Sequence, residues 1–238
     1  MLTTRIDEIA TNIYRISTAF PPSPAIPPGF TFNQFLIVDD EPLLFHTGMR
    51  KLFPQIRDAV ARVMPIDRLR WVSFGHHECD EDGSLVDWLA AAPGAAPLIG
   101  HMNAMYSVDD TTDRPARVLA NGETLSLGTR RVQWLDTPHV PHGWDAGLLF
   151  ETVTRTLFCG DLLTQPGADH APSTESDVLG PSEHMRSMFD YYSNPVRAAE
   201  TIDRLATLEP ALLATMHGSA YRGNGAATLR ELASCLKA

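Results

Sequence analysis

The sequence predicts an α/β domain built in layers, and three features indicate it. Short apolar runs that are typical of strands recur from residue 6 to residue 215, and stretches with helical spacing lie between them. Proline and glycine separate the segments. A length of 238 residues fits one large domain with a sizeable core, so we expect residues 1–238 to form a single domain.

The first half of the chain alternates strands with helices. Leu52, Ile56 and Val60 follow helical spacing, and Ser84 is a candidate N-cap. Strands are expected at residues 6–17 (two strands joined at 10–12), 35–38, 43–45, 71–74 and 97–100. Helices are expected at residues 49–63, 84–91 and 101–108.

The second half is richer in strands until a helical region near its end. Residues 164–181 contain many Pro, Gly, Ser, Thr and Asp residues, so they predict a long loop or lid. Strands are expected at residues 116–119, 124–126, 130–135, 147–153, 155–158 and 211–215. Helices are expected at residues 182–192, 195–208 and 225–236.

The composition excludes several classes of partner. A net charge of −10 and the lack of any block of Lys and Arg argue against nucleic acid and against an anionic membrane surface. No apolar run has the length of a signal-peptide core or of a membrane span. Three cysteines that lie far apart form neither a disulfide framework nor a CxxC site, so we expect a cytoplasmic protein.

The most informative stretch is residues 74–83, which follows the predicted strand 71–74. If the chain stays extended beyond Gly75, alternate side chains point the same way, and His76, Glu78 and Asp80 converge. One imidazole and two carboxylates suit iron, manganese or zinc. A solvated acidic turn is the alternative interpretation of this stretch alone.

Three more polar side chains follow predicted strands. His142 comes after strand 130–135, Asp161 ends strand 155–158, and His217 ends strand 211–215. A neighbouring glycine lets the backbone turn sharply at these points. Together the chain offers six candidate metal ligands: His76, Glu78, Asp80, His142, Asp161 and His217. This number exceeds the need of one tetrahedral zinc and fits two metals that share a bridging carboxylate.

The motif H-x-E-x-D, followed by a histidine, an aspartate and a histidine before glycine, resembles the metallo-β-lactamase fold. Glu78 stands where the zinc hydrolases of that fold usually have histidine, so the pattern is similar to the di-iron domain of flavodiiron proteins. The nineteen positions from His142 to Asp161 agree with that family. The resemblance implies a four-layer αββα sandwich. His46 departs from the Asp-Thr-Gly that is common at its position.

The resemblance also implies a ligand set. His76, Glu78 and His142 would bind one iron, Asp80 and His217 the other, and Asp161 would bridge them, with Glu78 and Asp161 as the catalytic candidates. Glu81 stands where many relatives have a further histidine. Either Glu81 supplies an oxygen donor to the second metal, or water takes that place. Zinc and manganese remain alternatives to iron.

Neighbouring residues are expected outside the metal shell. His77 should point away from the metals, and His139 should support the shell without binding a metal. Asp145 is a candidate to orient a ligand histidine, as carboxylates behind metal sites do. Phe189, Tyr191 and Tyr192 are expected in a core-facing stripe of a helix and not in a substrate pocket.

By resemblance, the expected function is that of a di-iron protein that binds or reduces O2 or NO. The sequence contains no flavodoxin-like stretch for flavin, so an external electron-donor protein would be needed, and without one the chain would act as an oxygen sensor. A homodimer is a further expectation. The alternative is a metal-dependent hydrolase that cleaves an ester, lactone, thioester or phosphodiester with a bridging hydroxide. A purely structural metal site is a third interpretation.

Overall fold

The computed structural model describes residues 2–237 and contains two seven-stranded sheets. The first sheet contains, in spatial order, β1 (Thr3–Ala10), β2 (Ile13–Phe20), β3 (Phe30–Ile37), β4 (Leu43–Phe45), β5 (Trp71–Ser73), β6 (Ala96–Gly100) and β7 (Arg117–Leu119). The second contains β8 (Thr124–Ser126), β9 (Arg131–Asp136), β10 (Gly147–Glu151), β11 (Thr156–Phe158), β12 (Ser173–Thr174), β13 (Leu212–Ala214) and β14 (Ala220–Arg222). Its spatial order is β12-β14-β13-β11-β10-β9-β8.

Helices flank the two sheets, and one of them, the fifth, borders the end of the sandwich. They are α1 (Phe53–Val60), α2 (Leu85–Ala91), α3 (His101–Asn103), α4 (Asp109–Thr111), α5 (Leu179–Phe189), α6 (Pro195–Ala206) and α7 (Gly225–Lys237), and a π-helical turn joins α3 to α4. Apolar side chains of α1 and α2 pack with the first sheet, and those of α6 and α7 pack with the second. The result is the four-layer αββα sandwich, and the predicted fold class is confirmed.

The two sheets share a dry interior. Trp134 of the second sheet and Phe35 and Phe45 of the first are fully or almost fully buried there, together with Phe158. The rings of Phe35 and Phe158 lie 5.3 Å apart between centroids, which joins the sheets directly. Gly147 has no room for a side chain, because a Cβ atom there would lie 2.1 Å from the Trp134 ring.

The sheets also meet where the polar residues gather. The N–H of Gly147 donates to the carbonyl of Gly75 over 2.9 Å, which links the start of β10 to the loop after β5. Asn33 of β3 donates from Nδ2 to the carbonyls of Thr215 and Gly218, both over 2.9 Å. These contacts hold the loops after β5 and β13 at the same end of the sandwich.

Several boundaries differ from the sequence prediction. Strand β3 begins at Phe30 and not at residue 35, because Asn33 and Gln34 are buried polar residues that interrupt the apolar pattern. Strands β12 and β14 were not predicted, since each is short and is defined by pairing with a distant partner. Helix α5 begins at Leu179, inside the predicted loop. Within residues 2–237, no helix is long and apolar enough to cross a membrane.

Candidate metal centre

A pocket of about 150 Å³ opens at the end of the sandwich where the loops after β5, β9, β11 and β13 meet. Its polar lining comes from Glu78, Asp80, His142, Asp161, Thr164, Tyr191 and His217, and its apolar lining from Phe30, Met185 and Phe189. Five of the six predicted ligands therefore line one pocket, and His76 lies directly behind them.

Four donors form one tight group. One atom each from His76, Glu78, His142 and Asp161 lies within 4.8 Å of all the others. Nε2 of His76 lies 2.9 Å from Oε2 of Glu78, and Nε2 of His142 lies 3.1 Å from Oδ2 of Asp161. We call these residues the outer half of the centre, because the side chains of Glu78 and His142 are 45% and 33% exposed.

The remaining two donors form a second, inner half with the other oxygen of Asp161. Nε2 of His217 lies 3.2 Å from Oδ1 of Asp161 and 3.6 Å from Oδ2 of Asp80. The side chains of His217 and Asp80 are only 7% and 10% exposed. Asp161 thus directs one carboxylate oxygen toward each half, which is the arrangement that a bridging ligand needs.

Local hydrogen bonds orient these side chains. Nδ1 of His217 donates to the carbonyl of Thr31 over 2.7 Å, which leaves Nε2 as the atom that faces the pocket. Asp161 follows β11 in a sharp turn, where the hydroxyl of Thr164 donates to its carbonyl over 2.7 Å. The loop after β5 forms a turn and not the extended strand that the sequence predicted. Its alternate residues His76, Glu78 and Asp80 still point toward the pocket.

Glu81 does not face the pocket. Its Oε2 accepts the N–H groups of Gly75 and His76 over 2.7 and 2.8 Å, and it lies 3.2 Å from Nδ1 of His46. Its Oε1 lies 3.3 Å from Nδ1 of His76. The expectation that Glu81 could offer an oxygen donor is therefore wrong for this geometry. Glu81 instead holds the metal-binding loop and the His76 ring from behind.

His46 and Glu81 form a fully buried pair. The two departures from the family pattern noted in the sequence are therefore in contact with each other. The carboxylate comes from residue 81 and the imidazole from residue 46. A buried carboxylate requires such compensation, because an unpaired charge in the interior is costly.

The acidic groups and the histidines shift each other's pKa values. Burial would raise the pKa of Asp161, but hydrogen bonds from His142 and His217 hold it well below its usual range. Burial would lower the pKa of His76, yet Glu81, followed by Glu78, raises it to about 12. Burial and the neighbouring carboxylates raise the pKa of Asp80, against the influence of His217.

The donor set fits a pair of metal ions. Three carboxylates and three imidazoles converge, and Oδ1 of buried Asp80 has no hydrogen-bond partner among residues 2–237. Mixed imidazole and carboxylate ligands suit iron, manganese or zinc. The outer half offers two imidazoles and one carboxylate, the inner half offers one of each, and Asp161 is available to both.

Among the neighbouring residues, Asp145 differs from the expectation, whereas His77 points away from the pocket as expected. Asp145 orients no ligand histidine, since its Oδ2 accepts the backbone N–H of His77 over 2.9 Å. His77 points outward to Asp82 and Ser107, and His139 contacts Ser193.

Two aromatic residues were assigned to the wrong environment. Phe189 and Tyr191 line the pocket, although their spacing predicted a core stripe. Helix α5 ends at Phe189, so Tyr191 lies in the following loop and leaves the helical face. The carbonyl of Thr31 is a further support that no sequence signal indicated.

Comparison with known proteins agrees with this architecture. The model of the ODP family beta lactamase matches residues 30–218, which is most of the chain. The chain belongs to this family. A rubredoxin-oxygen oxidoreductase of Megalodesulfovibrio gigas is 28% identical over 206 residues, covering 83% of this chain and 50% of that protein. An anaerobic nitric oxide reductase flavorubredoxin of Aeromonas hydrophila subsp. hydrophila is 24% identical over 205 residues, covering 82% and 41%.

The fold is also that of solved flavodiiron cores. The metal-soaked Flv1 flavodiiron core from Synechocystis sp. PCC6803 has a TM-score of 0.86 at 17% identity, and the match covers 99% of this chain and 61% of that one. This ODP family beta lactamase spans about half the length, or less, of the two curated relatives named above. The prediction of a single domain over residues 1–238 stays a prediction.

Proposed function

We propose that this domain holds two iron ions and reduces O2 or NO with electrons from an external donor protein. The observation that carries the proposal is the position of Asp161, whose two oxygens face the outer and the inner half separately. The relatives named as a rubredoxin-oxygen oxidoreductase and a nitric oxide reductase support the choice of substrates. The six residues His76, Glu78, Asp80, His142, Asp161 and His217 are the proposed ligands.

The charge of the ligand set supports iron. Glu78, Asp80 and Asp161 bring three negative charges close together, and two divalent ions would compensate them. Hard carboxylate oxygens also stabilise the ferric state, which iron must reach when it gives electrons to a substrate. When bound, the iron pair would supply two electrons to a substrate at one time.

The residues of the chain have separable tasks in this proposal. Asp161 sets the separation of the two halves. Glu78 and His142 lie at the exposed side of the pocket, where a substrate can enter. Phe30, Met185 and Phe189 form an apolar wall that limits water around the reacting atoms.

The pocket and the relatives both agree with the redox function. A volume of about 150 Å³ has room for a diatomic molecule. The names of the relatives quoted above also denote oxidoreductases and not hydrolases. We therefore propose redox chemistry, with oxygen sensing as the outcome when no electron donor is present.

Oxygen consumption by the purified chain with an artificial electron donor tests this function. The expected result is about two irons per chain and steady consumption of O2 or NO while donor remains. Asp161→Ala should abolish consumption, whereas Asp113→Asn, which changes an exposed carboxylate away from the pocket, should leave it unchanged. Stoichiometric zinc with turnover of a nitrophenyl ester would overturn the proposal in favour of hydrolysis.

A further inference from the structure

A second cleft lies at the edge of the sandwich, and its lining shares no residue with the metal pocket. It encloses about 250 Å³ between the inner faces of β1, β2 and β3 and the loop of residues 168–172. Its polar and charged lining consists of Thr3, Arg5, Asp7, Arg15, Ser17, Thr31 and His170. We call this space the Arg15 cleft.

Arg15 is a buried cation without a counter-ion. It is 2% exposed, and none of the carboxylates in residues 2–237 has an oxygen within 4.0 Å of its guanidinium nitrogens. Its Nη2 donates to the carbonyl of Gly218 over 2.7 Å, while its buried Nε has no acceptor. Burial lowers the pKa of Arg15 to about 10, so the side chain is still positively charged at neutral pH.

An uncompensated charge in such a position is unusual. Buried charges in proteins are normally paired, because removing a charge from water without a partner is costly. Asp7 is opposite Arg15 in the register of β1 and β2 and lines the same cleft, where its negative charge raises the pKa of Arg15 against the effect of burial. Its carboxylate does not come within the distance of an ion pair, so Arg15 is not ion-paired and its charge remains available to a ligand that brings its own negative charge.

The residues around Arg15 supply further hydrogen-bond donors. Arg5 and Ser17 are cross-strand partners and line the same cleft. The hydroxyl of Thr31 accepts the N–H of Gly218 over 2.8 Å, so its own proton remains free to donate. Two guanidinium groups with two hydroxyls match an anion that has several oxygens around one centre.

We propose that the Arg15 cleft binds a phosphate group, either as the free anion or as part of a small organic phosphate. The guanidinium groups of Arg15 and Arg5, which both line the cleft, would hold the phosphate oxygens, as the planar fork of arginine does in other phosphate sites. The cleft volume leaves room for an organic portion beside the phosphate. Neither the family match nor the metal centre assigns this site.

Calorimetric titration of the metal-loaded protein tests the proposal, with inorganic phosphate, glycerol phosphate and acetate as probes. Both phosphates should bind, and acetate should bind much more weakly because it offers only two oxygens. Equal binding of inorganic phosphate and glycerol phosphate would assign the site to the free anion, and tighter binding of glycerol phosphate would assign it to a phosphate ester. Binding of neither phosphate would overturn the proposal.

Variants separate this site from the metals, which can also attract phosphate. Arg15→Met should weaken phosphate binding about 10- to 100-fold, and exposed Arg5→Ala should weaken it less and serve as the test if Arg15→Met does not fold. Arg62→Ala, an equal change of charge at an exposed position, should have no effect. Asp161→Asn should retain binding.

Two results would overturn the assignment directly. If phosphate binding disappears in Asp161→Asn but persists in Arg15→Met, then the anion binds at the metal centre. If Asp7 neutralises Arg15 in solution, then Asp7→Asn should lower the thermal midpoint without improving phosphate binding. The proposal instead expects Asp7→Asn to bind phosphate more tightly, because a nearby negative charge is removed.

Discussion

The outer and inner halves of the metal centre contain the same kinds of donor but differ in their surroundings. Glu78 and His142 of the outer half are partly exposed, whereas Asp80 and His217 of the inner half are almost fully buried. The outer half has three donors of its own and the inner half has two. The inner half therefore depends more strongly on the shared carboxylate of Asp161, and we propose that a substrate enters at the more exposed outer half.

The two halves are also supported differently. His76 of the outer half is held by the carboxylate of Glu81, which His46 in turn contacts. His217 of the inner half is held by a neutral backbone carbonyl, that of Thr31. A charged support can be altered by substitution of one side chain, whereas a backbone support cannot, so the outer half is the easier one to perturb selectively.

The largest effect is expected when the shared ligand is removed. Asp161→Ala should lose metal from both halves, because each half would lose an oxygen donor and the separation of the halves would no longer be set. We expect the iron content to fall from about two per chain to nearly none. Metal analysis by mass spectrometry after desalting measures this directly. Retention of one full equivalent of iron would show that Asp161 does not bridge.

Replacement of one histidine in each half should give unequal losses. His217→Ala leaves the inner half with Asp80 and Asp161 alone, so about one iron per chain should remain. His142→Ala leaves three donors in the outer half, so most of the iron in that half should remain, with reduced affinity. Competition with a chelator, monitored for the two variants side by side, compares them. Equal losses in both variants would contradict the assigned halves.

Substitution of Glu81 should weaken the outer half only. Glu81→Gln removes the charge that supports His76 and should lower metal affinity there about 10- to 100-fold, as loss of a support behind a ligand usually does. Glu151→Gln is the matched control, since Glu151 is equally buried but interacts with Arg130 away from the pocket. Loss of stability without loss of affinity would assign Glu81 a purely structural role.

Metal binding should depend on pH in a defined direction. In the metal-free chain, Asp161 raises the pKa values of His142 and His217, and Glu81 raises that of His76, so protons compete with metal and affinity should fall as pH falls. These raised values stabilise the folded metal-free chain below about pH 6.5, and this contribution is lost as pH rises. Metal-free protein should therefore melt at a lower temperature at pH 9 than at pH 6.5.

The metal-loaded protein is the control for this pH dependence. Bound metal replaces the protons on the imidazoles, so its melting temperature should change less over the same pH range. Calorimetry in two buffers of different ionisation enthalpy would measure the protons that metal binding releases. Release of no protons near neutral pH would contradict the raised pKa values.

The smallest effect is expected at Tyr191, which lines the pocket but is not one of the proposed ligands. Among residues 2–237, its buried hydroxyl has no hydrogen-bond partner. Burial raises the pKa of Tyr191 to about 12, although the nearby hydroxyls of Ser182 and Thr164 act to lower it. Tyr191→Phe should keep both metals and lower turnover about fivefold, the effect of losing one hydrogen bond of ~1 kcal/mol to the substrate. Unchanged turnover would show that the hydroxyl does not contact the substrate.

The sequence predicted which polar residues lie close together at the pocket better than it predicted their surroundings. His76, Glu78 and Asp80 could be found because they alternate directly after a strand, and Asp161 and His217 because each ends one. The role of Glu81 could not be found, since its partners His46 and His76 come together only through folding. Phe189 and Tyr191 were misplaced because helix α5 ends between them, and helical spacing does not reveal where a helix stops.

By itself, the sequence determined the α/β class, the order of the main strands and helices, and the six residues that gather at one pocket. These follow from local patterns, namely apolar periodicity and polar residues at strand ends. Only the tertiary structure decided that Glu81 lies buried behind His76 and away from the pocket, that Asp161 contacts two halves of unequal exposure, and that Arg15 is buried without an ion-pair partner. Burial and charge pairing depend on contacts between distant segments, and a linear pattern does not record those contacts.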